Sequence, residues 1–254
     1  MTKLDRAAGG PSPNNGRIAS RVAIILAILA QLAVPARSFG QDVVEVWPLI
    51  DLSGLEAHEV EIAPSDAGGR RAIRVRLESD FDGGDSNTMA ILSGSDFLDG
   101  TIEVDLLSRV DPKAWFFVRW FARGFVGLAF RADRDLGRFE SLYLRPANGR
   151  VEDEDRRAHV VQYFSYPDWD FSRFRKESPG DYEGEANIGL DEWIHVRIEV
   201  RGDHAELFIN EGEQPVLVVN DLKHGPDQRG GIGLWVDAGT IALFSNLTIT
   251  HIAR

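Results

Sequence analysis

The chain has 254 residues, 43% of them apolar, no cysteine and a formal charge of −12. That size suits a single domain with a substantial core, and the absence of cysteine excludes disulfides and lipid attachment through an N-terminal cysteine. The acidic balance repels phosphate backbones and anionic membranes, which argues against nucleic-acid partners.

Residues 1–16 are polar and rich in Gly, Pro and Asn. Arg17 and Arg21 then precede the apolar run Val22–Val34, which is followed by Pro35, Ala36, Arg37, Ser38, Phe39 and Gly40. A basic start, an apolar run and small residues near a cut are the parts of a secretory signal, with cleavage after Ser38 or Gly40. The rival reading is an uncleaved anchor, but the run is shorter than the ~20 residues needed to span a bilayer. The sequence thus divides into an extension and signal over 1–40 and one domain over 41–254. Removing 1–40 takes away five basic residues (Lys3, Arg6, Arg17, Arg21, Arg37) and one acid (Asp5), leaving 23 basic against 39 acidic residues and a formal charge of −16. Export of a disulfide-free domain fits a bacterial periplasm or exterior. After cleavage no stable membrane span is expected, and the domain is expected to be a monomer.

Beyond Gln41 almost every segment reads as strand. Arg71–Glu78 alternates with period two, with Ile73, Val75 and Leu77 on one face and Arg74, Arg76 and Glu78 on the other. Strands are predicted in turn at Thr101–Leu107, Ala114–Phe121, Phe125–Arg131, Phe139–Arg145, His159–Phe164, Trp193–Arg201, Ala205–Asn210, Val216–Val219, Gly231–Val236 and Ile241–Ile249. Turn residues such as Asp99-Gly100, Asp111-Pro112, Asn148-Gly149 and Gly202-Asp203 separate them. No stretch carries a sustained helical period, and Ser165–Gly189 reads as a long structured loop. Short strands at this spacing predict an all-β, two-sheet antiparallel sandwich or jelly roll.

The segment Gly137–Glu183 crowds arginines, carboxylates, Asn, His, Gln, Tyr and Trp at a density that a plain core does not need. Aromatic faces cover the C–H surfaces of sugar rings, while Arg, Asn and carboxylates bond the hydroxyls. Phe139, Ser141, Tyr143 and Arg145 share one strand face; Gly127, Ala129 and Arg131 share a face of the strand before. If the two pair, the small residues leave room for a ligand beside Tyr143, Arg131 and Arg145; solvated or acid-paired arginines are the alternative. Asn148, Arg157, Gln162 and Tyr163 extend the candidate site, and Trp169 and Arg175 form its rim. The aromatic-rich loop either rims a cleft or closes a satellite core. Asp80, Asp82 and Asp85 surround a turn, and Glu152–Asp155 offers consecutive carboxylates. Calcium takes six to eight oxygens in a preset cage, and neither run has the spacing of a full binding loop. A structural Ca²⁺ therefore stays open beside a solvated turn, and no other cofactor is indicated.

Several phrases together resemble the concanavalin A-like lectin/glucanase superfamily. Asp96–Asp105 (DFLDGTIEVD) is similar to its opening strand, and Glu192–Val200 (EWIHVRIEV) followed by Ala205–Asn210 (AELFIN) is similar to its central hairpin. Gly230–Trp235 and Gly239–Leu247 look like its closing pair. The resemblance is strongest toward the laminin-G-like and 3-keto-disaccharide hydrolase group of exported bacterial jelly rolls. It implies two packed antiparallel sheets with ligands on a concave face or the loops above it. Glu103 and Asp105 match part of the E-x-D-x-x-E strand of laminarinase-type hydrolases, but the third acid is missing, so an exposed polar face is the favoured reading.

These observations lead to a carbohydrate-binding domain that recognises a glycan or glycoside on the concave sheet face. One alternative is a glycoside-cleaving hydrolase resembling the 3-keto-disaccharide hydrolases, with Glu140 or His159 moving the proton and Tyr143 or Arg145 on the oxyanion side. Glu140 reaches that face only if a bulge re-aims it. Another is a structural or adhesion module without a small ligand.

Overall fold

The computed structural model describes residues 42–78 and 85–252. The signal segment and Asp80 and Asp82 of the proposed calcium turn lie outside the described residues. In chain order come β1 (Val43–Trp47), β2 (Leu55–His58), β3 (Val60–Ala67), β4 (Arg70–Leu77), β5 (Met89–Leu92), β6 (Gly100–Val110) and helix α1 (Phe116–Phe121). There follow β7 (Val126–Ala132), β8 (Phe139–Leu144), α2 (Glu154–Arg157), β9 (Val161–Tyr166), α3 (Phe171–Glu177) and β10 (Glu183–Gly184). The chain closes with β11 (Ile194–Arg201), β12 (His204–Ile209), β13 (Leu217–Val219), β14 (Gly231–Val236) and β15 (Thr240–His251). The strands form two antiparallel sheets. An eight-stranded one runs β13-β12-β11-β6-β15-β4-β3 with β1 also on β15, and a seven-stranded one runs β10-β9-β8-β7-β14-β5-β2.

Period-two alternation builds the eight-stranded sheet. Ile73 and Val75 of β4, Ile102, Val104 and Leu106 of β6, and Ile194, Val196 and Ile198 of β11 enter one buried cluster between the sheets. In β15 the apolar set shifts phase, from Ala242 and Phe244 to Leu247 and Ile249. A bulge absorbs the extra residue between Ser245 and Thr248, where Asn246 takes φ 53°. The seven-stranded sheet is buried on both faces. Val126, Leu128, Phe130, Leu142 and Leu234 point to the sandwich core, whereas Met89, Ala129, Phe139, Tyr143, Phe164 and Trp235 form a second cluster on the outward face.

That second cluster corrects one expectation. The small residues of β7 and β14 do leave room on the sheet, but side chains of the protein fill it. A Cβ on Gly127 would lie 2.5 Å from Tyr143 Cβ, and one on Gly233 would lie 2.4 Å from Met89 Sδ. Tyr143, Trp235 and Phe164 pack with ring centroids 4.9–5.7 Å apart, and Trp235 Nε1 donates to Ser86 O at 2.7 Å. The middle of that face is therefore core.

Two predicted strands also differ. Ala114–Phe121 contains α1, whose Trp115-flanked aromatic run has no buried residue, because the Asp111-Pro112 turn ends β6 at Val110 and lifts the chain off the sheet. His159 precedes β9, because Asp153 accepts from the Arg156 N–H at 3.2 Å and caps the helical turn α2. Within Ser165–Gly189, Asp170 caps α3 in the same way through the Arg173 N–H at 2.7 Å.

Candidate functional site

A cavity of about 640 Å³ opens at one end of the seven-stranded sheet. Antiparallel pairing brings together there the residues before β5, β7 and β9 and those after β8 and β14, which is how Asp85, Phe125, His159, Arg145 and Asp237 come to share one site. Trp115, Phe117, Val118 and Phe121 of the α1 segment form one wall, and Phe171 and Arg175 of α3 another. Trp115, Phe117 and Phe121 remain 62–67% exposed, so their ring faces are presented to solvent.

The polar floor is a connected network. Arg145 Nη2 donates to Tyr143 Oη at 2.5 Å, and the Tyr143 hydroxyl donates to Gln162 Oε1 at 3.0 Å. Burial pushes the Tyr143 pKa well above 10, so the hydroxyl keeps its proton. Arg145 Nη1 donates to Glu183 Oε1 at 3.2 Å, and Arg175 donates to the same carboxylate at 2.7–3.2 Å. His159 Nδ1 lies 2.9 Å from Glu183 Oε2 without hydrogen-bond alignment. Asn148 accepts from Arg156 at 3.0 and 3.2 Å and donates to His159 O at 3.3 Å.

Two acids sit deeper. Asp85 Oδ2 accepts the Phe171 N–H at 2.6 Å, and Asp237 accepts the N–H groups of Asp85 and Ala238 at 3.2 and 2.6 Å. Burial raises Asp85 to about 7, with the Asp237 charge adding to the rise, and burial raises Asp237 to about 6. Asp85 also holds φ 50°, a left-handed conformation that Asp tolerates better than most residues.

Of the residues anticipated from sequence, Tyr143, Arg145, Asn148, His159 and Arg175 line the cavity, and Gln162 supports it from beneath Tyr143. The others lie elsewhere. Arg131 is fully buried at a bulge in β7 with φ 54°, donating to Leu98 O, Gly202 O, Gly225 O and Asp99 Oδ1 at 2.8–3.1 Å. It ties loops to the far end of the sheet. Arg157 donates to the carbonyls of Val151 and Glu152, both at 2.8 Å. Tyr163 faces the sandwich core, and Trp169 stacks on Phe174 at 5.4 Å while the Lys223 ammonium lies 4.6 Å from its ring. In the aromatic loop, Phe174 and Tyr182 join the sandwich core with Trp169 packed against it, and Phe171 and Arg175 reach the cavity.

No bulge re-aims Glu140, because β8 pairs in unbroken register with β7 and β9. It is fully buried on the face opposite Tyr143, accepting from Tyr163 Oη at 2.7 Å and from the His224 N–H at 2.8 Å. A Glu140→Gln variant is expected to lose about 1 kcal/mol of stability by giving up one of two acceptors. Ligand affinity or turnover should be unchanged, and loss of either at unchanged melting temperature would restore Glu140 to the site. Glu103 and Asp105 lie on the other sheet, where Asp105 pairs with Arg70 at 2.8 Å and accepts from Asn246 at 2.9 Å. Asp85 turns into the cavity, and among the described residues no group of His, Asp and Glu is arranged to hold a metal ion.

The sequence reading missed Arg123, Phe125, Glu183 and Asp237, and it placed Asp85 at a calcium turn instead of in this cavity. Asp237 was within reach: it stands two residues past Trp235, the same period-two face, at the end of a strand. Asp85 drew notice only for its neighbouring acids, since its Gly-rich surroundings read as a turn, either solvated or holding calcium.

No protein-family model and no curated protein sequence matches the chain. Among solved structures the chain is similar to a carbohydrate binding module, CBM66, from Bacillus subtilis, with a TM-score of 0.52 and 18% identity over 77% of this chain and 95% of that one. It is equally similar to a Bacillus subtilis protein of unknown function with a galectin-like fold, with a TM-score of 0.52 and 15% identity over 85% of this chain and 99% of that one. The fold is a concanavalin A-like jelly roll. At these identities the likeness defines the architecture, and the chemistry has to be read from the cavity itself.

Proposed function

We propose that this chain is an exported carbohydrate-binding jelly roll that holds a glycan or glycoside in the cavity at the strand ends of the seven-stranded sheet. The observation that carries the reading is the make-up of that cavity. Solvent-facing rings of Trp115, Phe117 and Phe121, with Phe125 and Phe171, meet a floor of guanidinium, amide, imidazole and carboxyl groups. Flat apolar walls beside convergent hydrogen-bonding groups are what a sugar ring requires. The carbohydrate binding module from Bacillus subtilis, which shares the fold, supports the same class of ligand.

The test is a panel of glycans and keto-glycosides screened against the full chain by thermal shift and product analysis. At least one glycan is expected to raise the melting temperature, and Phe125→Ala is expected to weaken its binding about tenfold through lost ring contact. A panel with neither a shift nor a product would overturn the reading in favour of a structural or adhesion module.

A second reading, glycoside hydrolysis, is favoured by one observation. Asp85 and Asp237 reach the cavity, and burial raises their pKa values to about 7 and about 6. A carboxyl that keeps its proton near neutrality can serve as a general acid, and an ionised neighbour as a base. Product formation that disappears in Asp237→Asn while ligand still binds would select this reading over pure binding.

A further inference from the structure

We infer that the ligand of this cavity carries an oxyanion, a carboxylate or sulfate ester on a sugar, held by Arg123 and Arg156. This rests on the glycan reading above and narrows it to acidic glycans.

Four arginines, Arg123, Arg145, Arg156 and Arg175, line the one cavity, in a chain whose net charge is −12. Two of them have a carboxylate partner within the protein, since Arg145 and Arg175 share Glu183. The other two have no carboxylate partner among the described residues. Arg123 Nη1 donates to the carbonyls of Trp120 and Ala122, both at 2.9 Å. Arg156 donates to Asn148 Oδ1 and to Ala147 O at 3.0–3.3 Å. Carbonyl and amide oxygens orient a guanidinium without cancelling its charge. The arginines also bear on one another: burial, then the Arg156 and Arg145 charges, lower the Arg123 pKa.

The acids of the cavity do not relieve this. Glu183 is already shared by two arginines. Asp85 and Asp237 lie on the floor, bonded to backbone N–H groups, and the arginine whose charge acts on them is Arg145. Asp155 stands at the rim with a side chain 93% exposed. A half-buried pair of like charges without a counter-ion is unfavourable in the empty protein and becomes favourable when an anion arrives. The guanidinium fork suits a carboxylate or a sulfate, and the aromatic walls suit the ring that carries it.

The experiment measures affinity by calorimetry on the full chain with three probes: an oligogalacturonate, its carboxyl-reduced neutral counterpart and a sulfated galactan oligosaccharide. The wild type is expected to bind at least one acidic probe about tenfold more tightly than the neutral one, the scale of a charge-assisted hydrogen bond. Which acidic probe is preferred identifies the oxyanion. Arg123→Gln and Arg156→Gln should each abolish that preference, so that acidic and neutral probes bind the variant alike. Arg123→Gln removes no side-chain partner, so its melting temperature should match the wild type even if Arg156→Gln loosens Asn148. Equal binding of neutral and acidic probes would overturn the oxyanion inference and leave the glycan reading standing. An acidic preference that survives in Arg123→Gln would overturn the assignment of the arginines, and no binding of any probe would overturn both readings.

Discussion

Replacing Arg145 by methionine should cost the protein about 3–5 kcal/mol of stability, the usual consequence of removing one partner from a buried ionic network. The guanidinium is almost fully buried and contacts Glu183, Tyr143 and the His159 carbonyl. Its charge also lowers the pKa of both Asp85 and Asp237. Methionine fills the volume but returns none of these interactions. Glu183→Gln should cost less, about 1–3 kcal/mol, because the amide keeps an acceptor oxygen and one of the two arginines it leaves, Arg175, has a side chain 38% exposed. The double variant should then be more stable than the sum of the two losses implies, by about 1–3 kcal/mol, which a denaturant double-mutant cycle measures. Ligand binding should vanish in Arg145→Met, since Tyr143 and Glu183 both lose the group that aims them. A variant within 1 kcal/mol of wild type would mean that the network is a bystander to folding.

The architecture was legible because alternation carries most of it. In β4, β6, β11 and β12 the apolar positions read directly as the buried face, and the phase slip of β15 at Asn246 is visible in the sequence as an extra residue between Phe244 and Leu247. The failures share a cause. A sheet buried on both faces erases the contrast that alternation relies on, so β7 and β8 revealed strands without revealing which face was free. The face shared by Ser141 and Tyr143 was expected to leave room for a ligand along the sheet; a second core fills its middle, and Tyr143 reaches the cavity at its end. In α1 the aromatic composition outweighed turn chemistry and suggested a strand.

The site was half legible for a different reason. Residues close in sequence, such as Tyr143, Arg145, Asn148 and His159, announced themselves by density in one segment. Asp85, Phe125 and Asp237 join them only through the pairing of β5, β7 and β14, at sequence separations that no local pattern reports. Glu140 shows the converse. Its place among site residues in the sequence gave it a catalytic look, but one residue of offset on a strand turns a side chain to the opposite face.

Asp85→Asn is expected to stabilise the protein at pH 8 by about 2–4 kcal/mol and to change it little at pH 4. The Asp85 carboxyl is raised from 3.8 to about 7 in the folded state, chiefly by burial. The native state therefore binds this proton more tightly than the unfolded chain does. The stability tied to it is fully present below the unfolded value near 3.8 and declines as pH rises through the folded value near 7. Each unit of difference corresponds to about 1.4 kcal/mol, so the penalty at pH 8 is on the order of 4 kcal/mol, reduced by whatever water reaches the floor. Asparagine removes the charge yet keeps an oxygen for the Phe171 N–H and tolerates the φ of 50° at this position. Asp237→Asn should behave alike over a narrower window, from 3.8 to about 6. Urea titrations of wild type and Asp85→Asn at pH 4, 6 and 8 give the difference directly, and titrations of groups remote from Asp85 cancel in it. A gap that does not widen between pH 4 and pH 8 would mean that the Asp85 carboxyl is ionised at no cost. The same variant then separates the two functional readings. A binding protein with a neutral amide at position 85 keeps its ligand, whereas a hydrolase that relies on the Asp85 proton retains binding and loses turnover.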